Sequence, residues 1–160
     1  MRHATIVGIF TVMLTLVSGL VFAEHVIDDS KNTGYLFVIS GTSGSLDGDT
    51  LTLNGVPNVI YFSDRPDRVA GHMSVSKFVE MWDKGDDSFK ADPPNATLSV
   101  LKKDGANNIV VELMSVKQKR GSVVFKVAVL EGEGLLLGGD FTAGSVFLDY
   151  IHIQIHGSDF

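Results

Sequence analysis

Hydrophobic and polar residues alternate in short runs along most of the chain, which is the pattern of half-buried β-strands. In residues 122–130, one face carries Val123, Phe125, Val127 and Val129, and the other carries Val124, Lys126 and Ala128. Asp47-Gly48 is a dipeptide typical of tight hairpin turns. Glycine-rich residues 41–45 and 131–140 are predicted as loops. The pattern predicts strands near residues 35–39, 50–53, 59–62, 96–102, 109–116, 122–130 and 145–155.

One segment has helical rather than strand spacing. Helical spacing after Ser74, a residue type that commonly caps a helix N-terminus, relates Val75, Phe78, Val79 and Trp82. This spacing predicts that Trp82 faces inward beside Phe78 and Val79 and packs on the sheet. Gly85 is expected to end this helix after about ten residues. The chain is therefore predicted to be all-β, a β-sandwich of about seven or eight short strands with one short helix. A small β-barrel is the alternative.

The first 23 residues have the features of a secretory signal peptide. A basic start at Arg2 precedes a long apolar run, and Val21-Phe22-Ala23 is a suitable cleavage site before Glu24. A membrane anchor is the alternative, but acidic residues rather than a basic cluster follow the run. We expect residues 1–23 to be a signal peptide, and residues 24–160 to form a single secreted or periplasmic domain that does not span the membrane.

Composition narrows the possible functions. The chain has 160 residues, no cysteine and a formal charge of −6. An acidic protein lacks the basic surface that nucleic-acid binding requires, so no nucleic-acid partner is expected. The lack of cysteine excludes a disulfide scaffold and thiolate chemistry. No cofactor motif is present, and the expected partner is an unidentified small molecule, glycan or protein.

Residues 61–98 are more elaborate than a connection between two strands requires. This segment contains the only tryptophan and three of the four prolines. Asp64 can bind backbone amides within a turn, and the guanidinium groups of Arg65 and Arg68 suit a carboxylate or phosphate. Together with His72 and Trp82, these residues are the candidate ligand-binding set. The alternative is a structural clasp in which the arginines fix the helix and loop to the sheet.

No metal site is expected from the acidic and imidazole side chains. His152 and His156 would lie about 13 Å apart along a strand, which is too far to share one ion. The spacing of the acidic cluster does not fit an EF-hand loop. That cluster, interpreted as a solvated surface, consists of Asp83, Asp86, Asp87 and Asp92. Asn95 begins an acceptor motif for N-glycosylation, which matters only in a eukaryotic secretory pathway.

Asp149 lies within the last predicted strand. Alternation counted from Phe147 places Asp149 on the face assigned to the interior. A buried carboxylate requires a partner, and Arg65 and Arg68 are the expected ones. The alternative is a strand end or bulge that turns Asp149 to solvent.

A combined motif resembles a family of small secreted bacterial proteins of unknown function. The motif is YFSDRPxRxAGH, beginning at Tyr61, followed by Phe78, Trp82, an SF pair and DPPNAxLSV, which ends at Val100. The resemblance covers more than half of residues 24–160. It implies secretion and a single-domain form, and it transfers no catalytic residues.

Three functional hypotheses follow from these observations. The first is a non-enzymatic binding module whose recognition surface is built by residues 61–98. The second is a hydrolase that uses Asp64 and His72 for acid–base chemistry, which requires the two side chains to be within hydrogen-bond reach. The third is a structural component of the envelope or matrix that self-associates through exposed strand edges.

Overall fold

The computed structural model describes residues 34–85, 88–132 and 139–152, with side chains up to residue 148. The predicted signal peptide, residues 1–23, lies outside the described residues. So do Asp86 and Asp87 of the acidic cluster, and so does His156.

The described chain is built from antiparallel strands and one short helix, which confirms the predicted all-β class. The helix α1, Val75–Met81, lies between β5 and β6 in the chain. The ten strands are β1 Gly34–Gly41, β2 Ser43–Asp47, β3 Thr50–Asn54, β4 Val59–Ser63, β5 Ala70–Met73, β6 Asn95–Lys102, β7 Gly105–Lys119, β8 Ser122–Glu131, β9 Gly139–Phe141 and β10 Gly144–His152.

The strands form one sheet that bends into two halves. Its order is β5-β4-β1-β10-β6-β7-β8-β3-β2-β9. Only Thr42 separates β1 from β2, and residues 142–143 separate β9 from β10. Because β1 pairs with β10 and β2 pairs with β9, both changes of direction occur at the same place in the sheet. The sheet does not close on itself. The architecture is therefore sandwich-like rather than the alternative barrel.

Three of the ten strands were not predicted: β2 and β9, which overlap the predicted loops, and β5. For β2, the reason is a close contact between elements. A side chain at Gly44 would come within 2.5 Å of the Phe141 ring and would also overlap the Thr52 carbonyl oxygen. Glycine is therefore required there to bring the strands together, although the local sequence is typical of a loop.

The helix covers part of the sheet's inner face and completes the core. The Ser74 side chain accepts from the Lys77 N–H at 3.2 Å, which confirms the predicted N-cap. Trp82 is the C-cap, so the helix has seven residues rather than the predicted ten. The Phe78 ring lies 5.7 Å from that of Phe37 on β1, and the Trp82 ring lies 6.2 Å from that of Phe125 on β8. The helix thus packs against both halves of the sheet.

Candidate functional site

The hairpin of β4 and β5 carries most of the predicted site residues, and its turn is held by four hydrogen bonds. The Ser63 N–H donates to the Val69 carbonyl, and the Val69 N–H donates to Ser63 Oγ, both at 2.8 Å. Inside this pair, the Arg68 N–H donates to the Asp64 carbonyl at 3.0 Å. The Arg65 N–H donates to Asp64 Oδ1 at 2.7 Å. The predicted role of Asp64 in binding a backbone amide is present.

Arg68 adopts a backbone conformation that is unusual for its residue type. Its φ is +51°, in the left-handed region, and it is the one non-glycine residue with positive φ in the described chain. An L-residue with a β-carbon is strained there, at a cost of roughly 1–2 kcal/mol. Glycine or asparagine would fit this position better. The arginine at this position is therefore not explained by backbone preference.

Both arginine side chains of the turn are exposed to solvent. Among the described residues, neither Arg65 nor Arg68 forms an ion pair. A structural clasp would require these guanidinium groups to contact the sheet or the helix. Instead, two planar cationic donors lie a few residues apart on a hydrogen-bonded turn. This arrangement is suited to binding a carboxylate, phosphate or sulfate group.

His72 and Asp64 lie on the same hairpin but are not close together. The strand register pairs His72 with Ile60, four residues before Asp64. At about 3.3 Å per residue, this separation is about 13 Å along the strand. Asp64 also uses Oδ1 to bind the Arg65 amide rather than an imidazole. The acid–base pair that the hydrolase hypothesis requires is therefore not formed within this hairpin.

Trp82 is separated from the other candidate residues because it lies in the core. Only 3% of its surface is exposed, and its ring lies 4.9 Å from that of Phe89 and 5.8 Å from that of Phe78. The sequence prediction that Trp82 faces inward with Phe78 is confirmed. Within the part of the chain that the structure describes, its buried indole Nε1 donor has no hydrogen-bond partner. Trp82 supports the helix rather than contributing to the exposed surface.

Two tyrosines support the hairpin from beneath. The rings of Tyr35 and Tyr61 are 6.0 Å apart in an edge-to-face arrangement. Burial raises the pKa of both phenols, and the nearby charge of Asp67 raises the pKa of Tyr35 further. A side chain at Gly71 would come within 2.6 Å of the Tyr61 ring, so the phenol occupies the space next to this glycine. The tyrosine pair thereby fixes the hairpin on the core.

The buried position predicted for Asp149 assumed that Phe147 faces the interior, and the structure contradicts that assumption. Val146 and Leu148 are buried, whereas Phe147 is 46% exposed, so the face that contains Phe147 points outward. The error arises because this strand carries apolar residues on both faces. The strand pairing also shifts between Tyr35 and Phe37, opposite the position of Asp149. The side chain of Asp149 lies outside the described residues, and its pairing with the arginines stays a prediction.

The described chain offers no alternative metal or membrane feature. No group of three or more potential metal ligands occurs within these residues. One acid of the predicted solvated cluster, Asp83, lies 3.6 Å from the Lys90 ammonium as an exposed ion pair. None of the described segments is a helix long and apolar enough to cross a membrane.

A second basic feature, missed in the sequence, lies on the other half of the sheet. A groove of about 290 Å³ is lined by three lysines together with Thr50, Ser115 and Val124. Lys126 Nζ is 2.7 Å from Asp49 Oδ1, and this hydrogen bond lowers the pKa of the carboxyl. Lys117 and Lys119 complete the lysine set. The signal in the sequence was the alternate spacing of Lys117 and Lys119 on β7.

Comparison with known proteins provides no relative from which a function could be inferred, so the assignment rests on the structural features above. No protein family, curated protein or solved structure matches this chain.

Proposed function

We propose that this protein is a secreted or periplasmic binding module without enzymatic activity, and that it recognises an anionic group through the β4–β5 turn. The predicted signal peptide supports the location. The rest of residues 61–98 supports the turn structurally, because the helix fills the core and Trp82 anchors the helix there. The ligand group would be a carboxylate, phosphate or sulfate on a small molecule, glycan or protein.

The observation that carries this proposal is Arg68. It is exposed, it lacks an ion pair among the described residues, and it occupies a left-handed backbone position where glycine would be more stable. Strained residues of this kind are concentrated at functional sites, where surrounding structure holds them. Here the four hydrogen bonds of the turn provide that support.

The surroundings of the arginines also suit a ligand that is partly apolar. Phe62 and Val69 are exposed on the same hairpin, and His72 lies on its outer face. Planar guanidinium groups beside an exposed aromatic ring can contact both the charged and the apolar parts of one ligand. We place the recognition surface on Arg65, Arg68 and His72 with this apolar margin.

The test measures stability and ligand affinity in the same variant, because the proposal predicts opposite effects of replacing Arg68 on the two. Arg68→Gly should raise the free energy of unfolding by up to about 1 kcal/mol because it relieves the left-handed strain. It should also weaken binding to dextran sulfate roughly tenfold, because a charged hydrogen bond is lost. Chemical denaturation and a binding isotherm measure the two effects, with uncharged dextran as the ligand control.

Arg120→Gly is the matched control, since Arg120 is exposed in a turn without positive φ. It removes the same charge but relieves no strain, so it should not stabilise the fold or weaken binding. Wild-type affinity in Arg68→Gly, or equal losses in the two variants, would contradict the proposal.

A further inference from the structure

The strand β5 forms one edge of the sheet, and only one of its two sides is paired. β5, Ala70–Met73, is the first strand in the sheet order, and it pairs with β4 alone. Among the described residues, no strand lies on its other side. An open edge of this kind can accept an extended chain as a further strand, because its backbone donors and acceptors are available for pairing.

The hydrogen bonds of the hairpin show which backbone groups of β5 face the open side. The Ser63 N–H donates to the Val69 carbonyl, so these residues form a hydrogen-bonded pair of the antiparallel ladder. Such pairs alternate along a ladder, so Gly71 also directs its backbone groups towards β4. The N–H and C=O groups of Ala70 and His72 therefore point away from β4. Both residues are exposed, and no hydrogen bond from another described residue reaches these groups.

The arginine turn directly precedes this open edge. Arg68 lies two residues before β5, and its guanidinium, like that of Arg65, forms no ion pair among the described residues. The acids of the turn already interact inside the protein. Asp64 accepts from the Arg65 N–H. The charge of Asp67 acts on the Tyr35 phenol beneath the hairpin. The turn therefore retains cationic donors for an external carboxylate at the N-terminal end of β5.

We infer that β5 binds the C-terminal end of an extended peptide chain as an added antiparallel strand, and that the arginine turn binds the terminal carboxylate of that chain. The inference rests on the proposed function, since it names the kind of ligand that carries the anionic group. Chain direction selects the orientation, because β5 runs away from the turn. An antiparallel peptide places its carboxylate beside Arg65 and Arg68, whereas a parallel peptide would bring its N-terminal ammonium group towards the same two cations.

The opposite edge of the sheet lacks this combination. Its strand, β9, has three residues rather than four, and it carries the exposed Asp140 rather than an arginine. A carboxylate that approached β9 would be repelled by this aspartate. The short β5 edge offers few backbone hydrogen bonds, so the charged contact at the turn decides which chains bind. The selected ligands are therefore peptide ends rather than any exposed strand.

Affinity selection from a peptide mixture tests recognition of the terminal carboxylate. The probe is a mixture of acetylated hexapeptides of random sequence with free C-terminal carboxylates, and the control is the same mixture with amidated C-termini. Immobilised wild-type protein should retain the free acids at least tenfold better than the amides, because amidation removes a charged hydrogen bond. The Arg68→Gly variant should lose this preference. Equal retention of the two mixtures by the wild type would overturn the inference.

N-methylation of the most strongly retained peptide tests strand addition. In an added antiparallel strand, alternate residues direct their N–H groups towards β5, opposite Ala70 and His72. Methylating those amides should weaken binding at least tenfold, because the strand can no longer donate to the edge. Methylating the intervening amides is the matched control and should leave the affinity within about twofold, because those amides face solvent. Isothermal titration calorimetry measures both, and equal effects of the two methylations would overturn strand addition.

Ala70→Pro tests the same edge from the protein side. Proline is tolerated at the first residue of an edge strand when the N–H that it replaces faces solvent, so the pairing with β4 should be kept. The variant should bind the selected peptide at least tenfold more weakly, because an edge donor is lost and the ring obstructs the added strand. Circular dichroism checks folding, and the methylated peptides carry the test if the variant does not fold. Unchanged peptide affinity in the folded variant would contradict the inference.

Dextran sulfate separates this inference from the proposed function. If dextran sulfate binding depends on Arg68 but the two methylated peptides bind alike, the turn recognises anions without strand addition, and only this inference fails. If Arg68→Gly changes the binding of neither dextran sulfate nor the selected peptide, the proposed function fails as well.

Discussion

Trp82 illustrates how a single residue can have a structural role within a segment that otherwise forms a binding surface. Its ring contacts Phe78, Phe89 and Phe125, and so connects the helix to the far half of the sheet. The turn that follows β4 and the helix that follows β5 therefore have different roles. One presents charged groups to solvent, and the other fills the interior.

Replacing Trp82 should destabilise the protein according to the volume removed. Trp82→Ala should lower the free energy of unfolding by about 3–5 kcal/mol, because it leaves a large cavity among buried aromatic rings. Trp82→Phe should cost much less, since Nε1 has no hydrogen-bond partner among the described residues whose loss would destabilise the fold. Urea denaturation monitored by circular dichroism measures both. A loss for Trp82→Phe as large as that for Trp82→Ala would contradict this account.

At the scale of elements, the β4–β5 hairpin depends on the tyrosine pair beneath it. The folded protein raises the pKa of Tyr35 and Tyr61, and burial is the largest cause for both. In the unfolded chain these phenols ionise near pH 10. The unfolded state therefore loses protons first, and the free energy of unfolding decreases as the pH rises above about 10.

This linkage predicts an alkaline loss of stability that two conservative variants reduce. Below about pH 9 the contribution from both phenols is fully present, and it should be lost progressively at higher pH. Tyr35→Phe and Tyr61→Phe should each make the free energy of unfolding decline less steeply between about pH 9 and pH 12. Denaturation midpoints measured across this range provide the test. Slopes identical to that of the wild type would mean that the two phenols ionise freely in the folded state.

The elements also show which parts of the fold the sequence could predict. Most of strand β8 follows from alternation, because Val123, Phe125 and Val127 are buried. Val129, predicted on the same face, is 37% exposed next to a shift in the strand pairing. Strand β2 could not be predicted locally, since its glycine, Gly44, is required by contact with Phe141, about a hundred residues away. Periodicity describes one strand at a time, whereas such contacts depend on how distant strands meet.

The sequence predicted part of the candidate site as well. The residue types in the Asp64–Arg68 turn indicated anion recognition, and the inward direction of Trp82 followed from helical spacing. The strain at Arg68 is invisible in the sequence, because φ is set by the hydrogen bonds of the closed turn. The orientation of Phe147 was also misjudged, since an apolar residue on a two-sided strand does not identify the buried face.

For the whole molecule, the outer surface divides into three regions with different chemistry. The arginine turn lies at one end of the sheet, the exposed apolar side chains Ile60, Phe62 and Phe147 lie on β4 and β10, and the lysine groove lies on β7, β8 and β3. An acidic protein with two separate cationic regions could bind anions at either one. The distinction matters because, among the described residues, only the turn combines arginines that form no ion pair with a strained non-glycine backbone.

The most direct test of the proposed recognition surface is an NMR titration of the ¹⁵N-labelled protein with sulfate, at constant ionic strength. The account predicts saturable shifts centred on the backbone amides of Arg65, Arg68 and Val69, because sulfate binding at the turn changes their hydrogen bonds directly. Saturable shifts centred instead on Lys117 and Lys126, or the absence of saturation at the turn, would contradict it.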